Sequence, residues 1–206
     1  MKYDITAKVF FIVFAKFFRN YYKIEFPEIN TKQFLKATKQ EYKAMIKRTP
    51  GLAKNNYLQP NLTMACFFFS LIKNVPDITP EIINKLIEFG LNSKFMSFIN
   101  KPKRKKGTIF SEKEQNKRVK DAEKSQHSSY EMDWIYTYKK GKNDFYCTYT
   151  KCGICTLAKK EHMEKYVSCL CNLDYGNYKL MGGKLTRTKT LANGDECCDF
   201  YVTKIK

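Results

Sequence analysis

A chain of 206 residues buries one substantial core but hardly two domains of ordinary size, and 43% hydrophobic with 15% aromatic residues is core material enough to exclude a disordered polypeptide. The formal charge of +18 invites a nucleic-acid reading, yet the lysines are spread along the chain and cluster only at Lys101-Pro102-Lys103-Arg104-Lys105-Lys106, which disfavours a dedicated nucleic-acid binder. Eight cysteines with no export signal ahead of them point to a reducing, cytoplasmic setting, where thiols serve as ligands or nucleophiles.

The apolar run Val9 to Ala15 is too short to span a bilayer and is followed at once by Lys16, Arg19 and Lys23, so neither a membrane span nor a signal peptide is expected. Phe10, Phe14, Phe17 and Tyr21 fall at helical spacing, with Phe11, Phe18 and Tyr22 beside them. Such a stripe belongs in a core or on a homo-oligomer face. Further helices are expected from Thr31 to about Ile46 and around Leu62 to Ile72. Another starts at Thr79, a capping residue, with Pro80 in its first turn, Ile82, Ile83, Leu86 and Ile87 as its apolar face, and Gly90 as its stop. Residues 1–100 are thus read as mainly helical.

Residues 101–130 read as a basic connector, a solvated loop or lid, and then a solvent-facing helix opened by the capping box Ser111-Glu112-Lys113-Glu114 and running through Lys124. His127 has no second ligand at metal spacing and reads as a surface residue. From residue 131 the period becomes two. Met132, Trp134, Tyr136 and Tyr138 share one strand face, Lys139 to Asp144 turn, and Phe145, Cys147 and Tyr149 share the face of the return strand. A second hairpin is expected from Lys184–Leu191 and Cys197–Ile205 about Asn193-Gly194, a pair that tolerates positive φ. Between the hairpins, Gly153 to Met181 reads as two helical pieces closed by Gly182-Gly183. The fold class is α+β: one unit over 1–206, with a helical N-terminal half packed on an antiparallel sheet of two hairpins with intervening helices.

The chemistry concentrates in the last quarter. Cys152-Gly153-Ile154-Cys155 lies where a strand gives way to a helix, a position that favours thiolate. Redox and zinc roles both follow from such a pair. A zinc site would draw on Cys152, Cys155, Cys169 and Cys171, with His162 as a further candidate, but the one-residue spacing of Cys169 and Cys171 suits zinc poorly, and neither metal nor cofactor is expected. On the last strand Cys197 and Asp199 point one way and Cys198 and Phe200 the other, so only one of the two sets faces a pocket. Arg187 sits on the neighbouring strand between threonines, and its fork suits a substrate carboxylate. No phosphate-cradling glycine pattern is present.

Taken in order, Asp133-Trp134, a strand into Cys152, Leu170-Cys171-x-x-Asp174, Arg187-Thr188-x-Thr190-Leu191-Ala192-x-Gly194 and Cys198-Asp199-Phe200 resemble the L-2-amino-thiazoline-4-carboxylic acid hydrolase family. The resemblance implies ring opening of a 2-aminothiazoline carboxylate to N-carbamoylcysteine, or related chemistry on another small molecule carrying a carboxylate. On that reading Arg187, with Thr188 and Trp134, binds substrate. Asp174 or Asp199 orients or protonates, and Cys198 or Cys171 attacks, unless a carboxylate-activated water does so instead. Two other readings stay open: a heterocycle-forming or amide-processing enzyme of secondary metabolism using the same pocket, and a non-catalytic regulatory module holding a small ligand or metal.

Overall fold

The computed structural model describes residues 1–27, 30–75 and 77–205, and at Ile99 the backbone alone. Five helices come first: α1 (Ile5–Glu25), α2 (Thr31–Arg48), α3 (Gln59–Ile72), α4 (Pro80–Leu91) and α5 (Lys94–Lys105). Then follow α6 (Glu112–Ser125), strands β1 (Ile135–Lys140) and β2 (Asp144–Lys151), helices α7 (Gly153–Glu161) and α8 (Val167–Leu180), and strands β3 (Gly183–Thr186) and β4 (Cys198–Lys204). The strands form one antiparallel sheet in the order β1-β2-β4-β3. The protein is therefore α+β, a helical half against a C-terminal sheet. Among the described residues no helix is long and apolar enough to cross a membrane.

Five of the helices, α1, α2, α4, α5 and α6, start where a side chain can take an orphan amide: Asp4, Asn30, Thr79, Ser93 and Ser111 all accept from the backbone three residues on. α3 is the central helix, buried on nearly every side from Leu62 to Ile72, as expected of a run without a polar face. The buried stripe of α1 is Ala7, Phe11, Ala15, Phe18, Tyr21 and Tyr22, so of the expected line only Tyr21 is buried and the stripe runs beside Phe10, Phe14 and Phe17, because alanines at 7 and 15 let α1 approach α2 and α3 closely. Phe18, Tyr22 and Phe34 stack where α1 meets α2.

Three expectations need correction. Gly90 does not stop α4; it lies in the helix, and Asn92 is the cap. The basic run is no loop but the last turns of α5, with Pro102 inside the helix and Lys106 donating to its carbonyl. α6 is not wholly solvent-facing, since Gln115, Ala122 and Ser125 are buried against β1 and the adjoining turn.

The first hairpin is as expected, with Tyr136 opposite Tyr149 and Tyr138 opposite Cys147. The second is not a tight hairpin. β3 ends at Thr186, and residues 187–197 leave the sheet as a connection closed on itself, the Thr190 amide donating to Asp195 and the Asn193 amide to the Thr190 hydroxyl, before Gly194 turns back at φ 92°. A four-membered hydrogen-bonded cluster, Glu41–Arg48–Lys73–Glu161, ties α2 and α3 to α7: the buried Glu161 carboxylate accepts two bonds of 2.7 Å from Arg48 and one of 2.5 Å from Lys73.

Candidate active site

The inner sheet face, α7 and α8 meet α1, α5 and α6 around a cavity of about 630 Å3. Val9 and Phe95 line it while remaining exposed to solvent, so it opens between α1 and α5. Its chemistry lies on three short segments.

The first is α8. Cys171, Asp174 and Tyr178 recur at three and four residues and share the helix face that lines the cavity. Cys169, about half a turn away, is buried against α4 and donates its thiol to the Pro80 carbonyl at 3.4 Å. The four-cysteine zinc set is therefore not assembled, and among the described residues no three His, Cys, Asp or Glu side chains are grouped to hold a metal ion.

The second is the β3–β4 corner. Alternation along the strand puts Leu185 and Arg187 inward and Thr186 and Thr188 outward. The Arg187 side chain is only 4% exposed, donates from Nη1 to Asp174 Oδ2 at 3.2 Å and from Nη2 to the Cys171 carbonyl at 3.3 Å, and lies against the rings of Tyr175 and Phe200. Its Nε is buried without a partner, a donor left unspent. On β4, Cys198 faces inward and accepts from the Leu191 amide at 3.2 Å. Asp199 faces outward and is occupied by Thr188 and Lys189: its Oδ1 accepts the Thr188 amide at 2.9 Å and its Oδ2 the Thr188 hydroxyl at 2.6 Å. Thr188 and Asp199, both expected in the site, are instead a clasp holding the 187–197 connection to the sheet.

The third is the β2–α7 junction, where Cys152 lines the cavity ahead of the first turn of α7. Trp134 packs over it. A side chain at Gly153 would collide with the Met132 carbonyl and the Trp134 ring, so only glycine lets the helix start this close. Asp133 is a latch rather than part of the site: it accepts from the amide of Ala53, the side-chain amide of Asn56 and the hydroxyl of Ser128.

The thiols of the cavity differ in state. Burial pushes Cys171 up to about 12, Cys198 up to about 11 and Cys147 up to about 12, which keeps all three protonated at neutral pH. Cys152 alone goes down: the Cys155 thiol donates to it, and the amides of Cys155 and Ile154 and the Trp134 ring outweigh the cost of burial. The Cys155 thiol, as donor to Cys152 and buried, goes up correspondingly. Asp174 is pushed up to about 6 by burial, with Arg187 opposing the rise; its side chain retains 36% exposure as a cavity-lining residue, so solvent in the cavity moderates both influences.

One wall was not foreseen from the sequence. Arg118 on α6 lies 3.6 Å over the Tyr57 ring, is paired with Glu114, and has a buried Nη1 that makes no hydrogen bond and lies 3.8 Å from Asp121 Oδ2. The spacing of Gln115, Arg118, Ala122 and Ser125 carries that inward face, but charged neighbours hide it. Tyr149 and Tyr178 complete the aromatic lining, their hydroxyls held well above the usual phenol value by burial and the nearby thiols and carboxylate.

These features define an α+β protein with a pocket lined by thiols, one carboxyl group of raised pKa and a buried arginine. The chain belongs to the L-2-amino-thiazoline-4-carboxylic acid hydrolase family, whose model matches residues 61–202, from α3 to β4. Comparison with curated proteins and with solved structures returned no match.

Proposed function

We propose that this protein is a hydrolase that opens a small cyclic amidine bearing a carboxylate, converting 2-amino-thiazoline-4-carboxylate to N-carbamoylcysteine. The family supplies the reaction class, and the observation that carries the reading in this chain is the Arg187–Asp174 pair lining the cavity. Hydrolysis at the amidine carbon needs an anchor for the substrate carboxylate and a group that both gives and takes a proton near neutral pH. Arg187, with its unspent Nε donor and a geometry fixed by Asp174 and the Cys171 carbonyl, suits the first. Asp174, pushed up to about 6, suits the second, being partly protonated in the range where a carboxylate at its ordinary value would be fully ionised. The leaving group is a thiolate, so catalysis is needed chiefly in the attack on carbon.

The cavity volume favours a second reading within the same chemistry. A single small ring occupies only part of about 630 Å3, and the Tyr57–Arg118 wall lies in the remainder, which suits a larger heterocycle or amide. Mass-spectrometric assay of the purified protein with 2-amino-thiazoline-4-carboxylate tests the first reading. N-carbamoylcysteine formed by the parent and lost in Asp174→Asn is the expected result; no turnover across pH 5 to 9 overturns that substrate and leaves the larger heterocycles.

A further inference from the structure

Of the cysteines in the motif order, Cys198 and Cys171 are the ones read from the sequence as attacking thiols, but the geometry points elsewhere. We infer that Cys152, at the start of α7, is the nucleophile of this cavity and that the reaction passes through a covalent S-linked isothiouronium on it. The inference rests on the hydrolase reading for its substrate but not for the reactivity of the thiol.

Three arrangements carry it. Cys152 stands at the amino end of the nine-residue α7, at the cap position ahead of the free amides of its first turn, a setting that stabilises negative charge. Cys155 stands behind it as a thiol donor, and the Trp134 ring covers it, with Gly153 the only residue that lets all three approach. Cys152 also lines the same cavity as Arg187 and Asp174, close enough that its charge is felt by Cys171 and Cys198. Those two thiols lack any comparable set of donors: Cys198 accepts one amide, and Cys171 is flanked by Asp174. The Cys152 thiolate is the form that attacks, and its pKa lies on the side that favours it.

The step balances without a further reagent. The Cys152 thiolate adds to the amidinium carbon, the ring carbon–sulfur bond breaks, and the ring sulfur leaves as the substrate's own thiolate. Water then adds to the isothiouronium carbon, giving one proton to the Asp174 carboxylate. Collapse breaks the bond to Cys152, which departs as thiolate, and the remaining hydroxyl proton passes to the substrate thiolate as the urea carbonyl forms. Asp174 returns its proton to the ring nitrogen of the next substrate.

The test has two arms on the full chain. In the first, the parent protein is alkylated briefly with iodoacetamide from pH 6 to 9 and each cysteine is read by peptide mass. Cys152 is expected to react at least tenfold faster than the outward-facing Cys197 at pH 7, with its rate levelling below the ordinary thiol pKa of about 8.5. A Cys152 slower than Cys197 at pH 7 overturns the inference, whatever the substrate. In the second, acid-quenched protein incubated with 2-amino-thiazoline-4-carboxylate is expected to carry one substrate mass on the Cys152 peptide in parent and Cys198→Ser alike, with kcat at least a thousandfold lower in Cys152→Ser. Turnover by Cys152→Ser within tenfold of the parent overturns the nucleophile and leaves the hydrolase standing. A fast-reacting Cys152 in a protein that does not turn this substrate over overturns the substrate and leaves the nucleophile. The first arm needs no variant, so misfolding of Cys152→Ser does not shield the inference.

Discussion

Replacing Arg187 by Gln should move the titration of Asp174 upward, because Arg187 is the influence that holds the carboxyl down against burial. The separation of 3.2 Å corresponds to roughly 1 to 5 kcal/mol of attraction between effective dielectrics of about 80 and 20. Asp174 is more than a third exposed, in a cavity open between α1 and α5, so screening puts the value toward the low end, about 2 kcal/mol. That is roughly one to two pKa units, taking Asp174 from about 6 to above 7. Glutamine is two bonds shorter than arginine, so it removes the charge together with the bond to the Cys171 carbonyl while keeping a neutral donor near the Nε position. The carboxyl carbon shift of Asp174, followed by NMR in protein labelled at aspartate, reads this directly and needs no substrate. A midpoint in Arg187→Gln equal to or below that of the parent would show that Arg187 does not set the charge state of Asp174, and the acid–base role drawn from the pair would fall with it.

The cluster on α7 makes a second, independent prediction. Glu161 is held below its ordinary value because Arg48 and Lys73 outweigh its burial, so it contributes stability above the unfolded carboxylate pKa that is lost as pH falls through the folded one. Glu161→Gln should cost about 2 kcal/mol at pH 7, less than a fully enclosed pair because Arg48 and Lys73 are 41% and 29% exposed, and should flatten the loss of stability below pH 4.5 seen in urea denaturation; a pH profile parallel to the parent's would contradict it. Asp174 has the opposite sign. Its raised pKa means stability is fullest below about pH 4 and falls as pH rises through about 6, so Asp174→Asn should be more stable than the parent at pH 8 and equal to it at pH 4. Gly153→Ala should lower stability by roughly 2 kcal/mol and slow alkylation of Cys152, since the added carbon meets the Met132 backbone; a thermal midpoint within a degree of the parent's would count against the close approach. Cys198→Ser should reduce kcat/KM more than Cys197→Ser, because only Cys198 faces the cavity, and equal effects would remove β4 from the site.

Local rules carried far in this chain. The capping of α4 by Thr79, the two faces of β4 and the pairing of β1 with β2 each depend on neighbours a few residues away, and periodicity displays them. What depended on distant partners was hidden. Asn193-Gly194 has the composition of a two-residue turn, yet the connection around it is eleven residues long, because Asp199, Asp195 and Thr190 supply side-chain acceptors that stabilise a longer path. Lys101 to Lys106 has the composition of a loop, but the helical start at Ser93 carries the chain through it to Lys105. Arg118 was concealed among charges on α6, and only the Tyr57 ring brought up by the preceding half identifies its inward side. Asp174 and Asp199 were both candidates for the carboxylate of the site; the one that reaches Arg187 is Asp174, from the helix laid across the sheet, while Asp199 on the neighbouring strand is taken up by Thr188.

The cysteines show most sharply why composition alone does not assign a site. Cys147, Cys152, Cys171 and Cys198 all line one cavity, and nothing in the side chain distinguishes them. Three are buried among rings, carboxylate or one another and are driven toward the neutral thiol. One follows the last residue of a strand and precedes the first of a helix, so it meets backbone donors that the hydrogen bonding of either element would otherwise consume. The one lowered thiol therefore sits at the break between two regular elements, where unspent amides are available, and the shortage of donors on a paired strand explains why the inward position of Cys198 yields a packed thiol instead. The reactivity of this pocket is a property of the β2–α7 junction, and it should move with that junction: any change that lengthens it by one residue would rotate Cys152 away from the amino end of α7 and raise its pKa toward those of the other cavity thiols.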